Sequence, residues 1–120
     1  MEDWKQKLIT LIETKRPYLE PELTLTDLAR QLDTNASMLS RIINDGTGRN
    51  FNEFINYYRV QEVVKKMYAG EHQVQTLLAI AFDCGFNSKA TFNRSFKKIT
   101  GKTPRELADA VSNGQTLPPQ

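Results

Sequence analysis

Thr76-Leu77-Leu78-Ala79-Ile80-Ala81-Phe82-Asp83-Cys84-Gly85-Phe86-Asn87-Ser88-Lys89-Ala90-Thr91-Phe92-Asn93-Arg94-Ser95-Phe96 decides the fold, because its pattern has already occurred once in the chain, starting at Thr24. A shift of 52 residues lays Thr24, Leu25, Leu28, Ala29 and Asp33 on Thr76, Leu77, Ile80, Ala81 and Gly85. One extra residue in the later turn makes the shift 53, and Asn35, Leu39, Arg41 and Ile43 then fall on Ser88, Phe92, Arg94 and Phe96. The register continues with Gly48 on Gly101, Asn50 on Thr103, Glu53 on Glu106 and Phe54 on Leu107. Caps match caps and apolar positions match apolar positions, which is the signature of one structural unit used twice.

Each copy has the same local chemistry. Thr24-Leu25-Thr26-Asp27 reads as a capping box, opening a helix with Leu25, Leu28, Ala29 and Leu32 on one face. Asn35 is an N-cap for a second helix that points Met38, Leu39, Ile42 and Ile43 inward. In the later copy, Thr76 caps a helix carrying Leu77, Ile80 and Ala81, and Gly85 ends it. Ser88 then caps a helix with Phe92 and Phe96 inward. A short helix, a tight turn of about three residues and a second capped helix is the spacing of a helix-turn-helix. Ala29 and Ala81 suit it, since a small residue in the first helix lets the second cross closely. The alternative for a single copy is a generic helical hairpin. Two copies, each presenting an arginine outward from its second helix, favour nucleic-acid recognition.

Around the repeat, Trp4, Leu8, Leu11 and Ile12 predict an amphipathic helix over residues 3–15, closed by Pro17 and followed by a connector that contains Pro21. Between the copies, Asn50-Phe51-Asn52-Glu53 is a second capping box, opening a long helix to about Tyr68 that Gly70 stops. Its apolar residues, Phe54, Ile55, Tyr58, Val60, Val63, Val64 and Met67, cover a broad arc, so it should be packed on more than one side and touch both units. Arg59 lies on this connector, and an ion pair with an Asp or Glu of a neighbouring helix would suit it. Thr103-Pro104-Arg105-Glu106 is a third capping box, with proline where its missing N–H costs nothing. Residues 111–120 lack periodicity and are expected to be a disordered tail.

Composition excludes several classes of function. The chain has 120 residues, 39% of them hydrophobic and 25% charged, as in an ordinary soluble domain. No apolar run approaches the ~20 residues of a membrane span and the N-terminus is not a signal peptide, so a cytoplasmic protein, or the cytoplasmic piece of a larger one, is expected. Cys84 is the single cysteine and His72 the single histidine, which leaves no disulfide and no metal-ligand cluster. Cys84 reads as a small buried hydrophobe and His72 as a loop residue. No cofactor is expected. Paired carboxylates, a nucleophile–base pair and a phosphate-cradling glycine loop are all missing from the pattern, so an enzyme is the weakest reading.

The net charge of +2 is modest, but it is unevenly placed: residues 1–83 carry −2, residues 84–105 carry +6 with no acid, and residues 106–120 carry −2. A local cationic stretch suits a polyanion, and also an acidic protein partner, which is the second reading. Competition by specific over random duplex DNA separates the two.

Ile80-Ala81, Gly85-Phe86-Asn87-Ser88, Phe92-Asn93-Arg94, Phe96-Lys97-Lys98 and Thr100-Gly101-Lys102-Thr103-Pro104 together resemble the second unit of the AraC/XylS family of bacterial transcription regulators. Asn56-Tyr57-Tyr58-Arg59-Val60 resembles the start of that family's connecting helix, and Leu39-Ser40-Arg41 its first reading helix. The resemblance covers about residues 20–108. It implies an all-α fold of about seven helices: two homeodomain-like helix-turn-helix subdomains, about 24–46 and 76–99, bridged by the 51–68 helix within a 1–110 domain.

Sequence-specific reading of double-stranded DNA is the function it implies, with the second helix of each unit in a major groove. Carried over by position, the first reader presents Ala36, Ser37, Ser40 and Arg41, and the second Lys89, Ala90, Asn93 and Arg94. Arginine pairs bidentately with guanine and asparagine with adenine. Asn35 and Ser88, at helix starts, and Lys97, Lys98 and Lys102 are expected at phosphates. RNA polymerase is a further expected partner. Family members often carry a separate sensing or dimerisation domain, none is present in these 120 residues, and a monomer is expected of this fragment. Asp33 departs from the glycine usual at the first turn.

Overall fold

The computed structural model describes residues 2–114, and these residues contain seven α-helices and no strand. They are α1 (Glu2–Lys15), α2 (Leu25–Gln31), α3 (Ala36–Thr47), α4 (Phe51–Tyr68), α5 (Leu77–Asp83), α6 (Lys89–Thr100) and α7 (Pro104–Ser112), with 3-10 turns at Pro17–Leu19 and Glu71–Gln73. Every helix start from α2 onward carries a side-chain cap. Thr24, Asn50 and Thr103 form complete capping boxes with Asp27, Glu53 and Glu106. Asn35, Thr76 and Ser88 each accept from the N–H three residues on. Such caps typically contribute about 1 kcal/mol each, so the punctuation expected from the sequence is chemically real.

Two apolar cores flank α4. Leu8, Ile12, Leu28, Leu39, Ile43, Phe54 and Ile55 are among the residues of the first, and Val60, Val63, Met67, Ile80, Phe92, Phe96 and Leu107 among those of the second. The broad apolar arc of α4 therefore has a simple cause. Its first half closes the α1–α2–α3 unit, as α7 closes the second unit, and its second half opens the α5–α6 unit, as α1 opens the first. Phe86, Phe92 and Phe96 pack ring against ring, with centroids 5.3 and 5.7 Å apart along the series. Cys84 is fully buried among them, and desolvation pushes its thiol up to about 12. The molecule is elongated, 44 × 28 × 24 Å.

Three expectations need correction. Met38 is 37% exposed and lies at the rim of the inward face of Leu39, Ile42 and Ile43: helix rotation of about 100° per residue places it about 40° beyond Ile42, on the side away from Leu39 and Ile43. The tail does not begin at 111: α7 continues to Ser112, Val111 packs against the second core, and Ser112 Oγ lies 2.8 Å from His72 Nε2. The remainder of that expected tail, residues 115–120, lies outside the described residues. Arg59 does not pair with an acid from a neighbouring helix. It is buried, and its Nε donates to the Tyr18 carbonyl at 2.7 Å and its Nη2 to the Glu20 carbonyl at 2.9 Å. Burial lowers the Arg59 pKa, and the nearby Glu20 charge opposes that shift.

Candidate nucleic-acid interface

The two helix-turn-helix turns are built alike. In the first, Thr34 N–H donates to the Ala29 carbonyl and Asp33 N–H to that of Arg30; in the second, Phe86 N–H donates to Ala81 and Gly85 N–H to Phe82. This nested pair of bonds is a Schellman motif, which requires a left-handed residue at its centre. Asp33 (φ 55°) and Gly85 (φ 106°) hold those positions. Aspartate tolerates the left-handed region better than most residues, so the first turn closes without glycine.

Each turn delivers a helix with one buried and one open face. On α3, Leu39, Ile42 and Ile43 are buried, Ser37 and Arg41 are exposed, and Ala36 and Ser40 lie half-buried. The Ser40 hydroxyl accepts from the Asn44 amide at 3.4 Å. On α6, Phe92 and Phe96 are buried, whereas Lys89, Ala90, Asn93 and Arg94 are all exposed. Those four residues line an open cleft of about 980 Å³ whose apolar floor includes Leu77, Phe92 and Pro104. Six of the eight expected reading residues are thus exposed on the second helices of the two units, and Ala36 and Ser40 lie at the edge of the buried face of α3.

The expected phosphate contacts are in more varied situations. Asn35 Oδ1 and Ser88 Oγ are committed as caps, to Met38 N–H at 2.9 Å and Thr91 N–H at 3.2 Å. The other first-turn amides have no carbonyl one turn back to bond, so each helix start still offers donors. Lys97 is exposed in the last turn of α6, and Lys102 is exposed in the turn that follows. Lys98 bridges the units: its Nζ lies 3.1 Å from Glu53 Oε2, at the start of α4. Glu53 is held below the usual carboxylate range, first by the Asn50 N–H it accepts and then by Lys98.

Two cations were not singled out from the sequence. Arg105 lines the large cleft beside α6. Arg49 lies with its guanidinium 4.4 Å from the centre of the Tyr57 ring, and lines a smaller cleft that Arg94, Ser95 and Lys98 share. Arg105 sits within the acid-free segment 84–105; nothing local marks Arg49. Among the described residues, no cluster of three or more His, Cys, Asp or Glu could hold a metal ion, and no helix is long and apolar enough to cross a membrane.

Comparison with known proteins gives the same picture. Residues 28–110 match the family described as a helix-turn-helix domain. YtdP of Bacillus subtilis, an uncharacterised HTH-type transcriptional regulator, is 35% identical over 85 residues, which is 71% of this chain but 11% of that protein. An uncharacterised HTH-type transcriptional regulator of Staphylococcus aureus (strain COL) is 28% identical over 89 residues, 74% of this chain and 12% of that protein. The chain therefore spans about a ninth to an eighth of the length of these relatives. A solved Listeria innocua protein of unknown function superposes with a TM-score of 0.72 at 27% identity, covering 87% of this chain and 93% of that one. The C-terminal domain of the two-component response regulator yesN from Fusobacterium nucleatum also gives a TM-score of 0.72, covering 88% of this chain and 98% of that one; at 24% identity it speaks for the fold alone. With its doubled turn, an exposed face on the second helix of each unit and the match over residues 28–110, the chain belongs to the AraC-type helix-turn-helix family of DNA-binding regulatory domains.

Proposed function

We propose that the protein binds one asymmetric double-stranded DNA site as a monomer, with α3 and α6 in successive major-groove segments on one face. The observation that carries this reading is the pair of exposed strips, each on the second helix of a helix-turn-helix, within a body 44 Å long. Successive major-groove turns on one face lie about 34 Å apart, so a body of that length can span two. Arg41 reads the first box, helped by Ala36, Ser37 and Ser40, and Lys89, Ala90, Asn93 and Arg94 read the second. Asn35, Ser88, Lys97, Lys98 and Lys102 meet phosphates and set the register. RNA polymerase is the further partner of a regulator so placed, in the cytoplasm, and no enzymatic step is assigned.

Selection of bound sequences from random duplex DNA tests this. Two unlike boxes about 10 bp apart are expected from a single chain. A palindrome filled by one chain per half would overturn the tandem-reader assignment. Random duplex competing as well as selected duplex would favour an acidic protein as the partner of the basic face.

A further inference from the structure

Reading two boxes at once requires more than two reading helices, since the helices must also be held at one separation and one angle. Each unit rests on α4 through its own core, so α4 alone would let the two units rock about a shared axis. A second attachment, away from that axis, would stop the rocking. One is present, and it uses no reading residue.

The segment after α1 crosses from the first unit to the turn of the second. Gly85, three residues before the Ser88 cap of α6, lies so close that a Cβ there would sit 2.1 Å from the Tyr18 carbonyl oxygen and 3.2 Å from Leu19 Cα. Arg59 locks this crossing from below. Its guanidinium bonds the Tyr18 and Glu20 carbonyls at 2.7 and 2.9 Å, and lies 5.9 Å from the centre of the Phe86 ring in the second turn. One helical turn along α4, Glu62 takes Arg16 Nη2 at 2.7 Å and the Tyr18 hydroxyl at 3.3 Å. Arg16 itself is left-handed, at φ 52°. A strained non-glycine residue persists only where its surroundings over-determine it, as the Arg16–Glu62 ion pair and the Arg59 hydrogen bonds to the Tyr18 and Glu20 carbonyls do here.

We propose that Arg59 is a positioning residue for two-box DNA reading: by fastening the Pro17–Glu20 segment against the Gly85 turn, it fixes the separation and angle of α3 and α6. The proposal rests on the two-box reading above and adds the element that sets its ruler. A planar fork that bonds two carbonyls at once cannot be replaced by a lysine, which offers a single ammonium on a flexible stem.

Arg59→Lys and Arg16→Ala, with circular dichroism as the check on folding, test it in two arms. In the first, affinity is measured for duplexes carrying both boxes at the selected spacing and with one base pair added or removed, and for each box alone. One base pair shifts a box by about 3.4 Å and turns it by about 35°. The wild type should lose about tenfold or more per mis-spaced base pair, because a rigid link rewards only the matching span. Arg59→Lys should retain each single-box affinity within about twofold, while its spacing penalty falls below about threefold. Arg16→Ala should lie between.

The second arm needs no DNA. Spin labels at Asn44→Cys and Lys97→Cys, both exposed, report the α3–α6 distance distribution, and fully buried Cys84 does not compete for label. A narrow wild-type distribution that broadens in Arg59→Lys supports the proposal. An Arg59→Lys protein that melts earlier but keeps both the spacing penalty and the narrow distribution overturns it, leaving Arg59 a packing residue. If the wild type has no spacing preference, the two-box reading is what fails, and the spin-label arm alone then decides the positioning role.

Discussion

The two helix-turn-helix units share one backbone plan and differ in what surrounds it. Both turns are Schellman motifs, and both second helices start on a side-chain cap. Around Asp33 nothing demands glycine, whereas Gly85 has the Tyr18 carbonyl where a Cβ would go. The second helices differ too. α3 carries Arg41 and Asp45 and is neutral, while α6 carries Lys89, Arg94, Lys97 and Lys98 with no acid. A repeat thus preserves what local hydrogen bonding requires, and it frees the remaining positions to specialise. The second helix of the first unit carries little charge, and the second unit carries both the cationic helix and the turn against which the units join.

The largest expected effect separates the two turns. Gly85→Ala should destabilise by about 4 kcal/mol, since its Cβ meets backbone that cannot swing aside. Asp33→Gly should change stability by less than about 1 kcal/mol, because relief of left-handed strain is offset by a more flexible unfolded chain. Urea unfolding of the two variants measures both, and similar losses at the two sites would erase the distinction.

Next comes the division of reading. Arg94→Ala and Arg41→Ala should each cost about 1–3 kcal/mol of specific binding and relax base preference in one box only. Relaxation should be more complete for Arg41→Ala, whose strip is left with short side chains, than for Arg94→Ala, whose strip keeps Lys89 and Asn93. Base-preference profiles that relax at the same pairs in both variants would contradict two independent readers.

Charge gives a smaller contrast. If six to eight phosphates are neutralised, log K should fall with log salt at a slope of roughly −5 to −7. Lys97→Ala should flatten that slope by about one unit across all sequences. Lys98→Ala should flatten it less if Lys98 stays with Glu53, and Glu53→Gln should then restore the full phosphate role of Lys98. Binding isotherms at several salt concentrations distinguish the three proteins, and a wild-type slope shallower than about −2 would argue against docking in two grooves.

The smallest effect is acid sensitivity. Glu53 and Glu106 are both held below the ordinary carboxylate value of 4.5 by the cap N–H groups they accept, from Asn50 and Thr103. A depressed pKa in the folded state contributes stability that is complete above the ordinary value and is lost as pH falls through the depressed one. Thermal melting from about pH 6 down to about pH 3 should therefore fall less steeply in Glu53→Gln and Glu106→Gln than in the wild type. The change should be larger for Glu53, which also loses Lys98.

Much of the fold was legible because its signals are local. A capping box closes within four residues and an apolar face repeats every three or four, so Thr24, Asn50, Thr76, Ser88 and Thr103 mark helix starts with no knowledge of their neighbours. The doubled pattern then laid the exposed positions of α3 and α6 in register with one another. Met38 and the end of α7 were misjudged where a local pattern meets a rim: only the packed unit decides whether a residue one step off the apolar face is covered, or whether Val111 still has a surface to lie on.

The amino-acid sequence by itself determined the helices, their punctuation, the repeat and the polarity of the second helix in each unit, since these depend on side chains a few residues apart. Only the tertiary structure decided how the two units are joined. Arg59 reaches carbonyls 39 and 41 residues away, Lys98 reaches a carboxylate 45 residues away, and Gly85 yields its side-chain space to a backbone oxygen. Every residue carries a carbonyl, so residue type cannot mark which one a buried arginine will choose. That choice depends on where the chain crosses itself, and the crossing exists only after both cores have closed on α4.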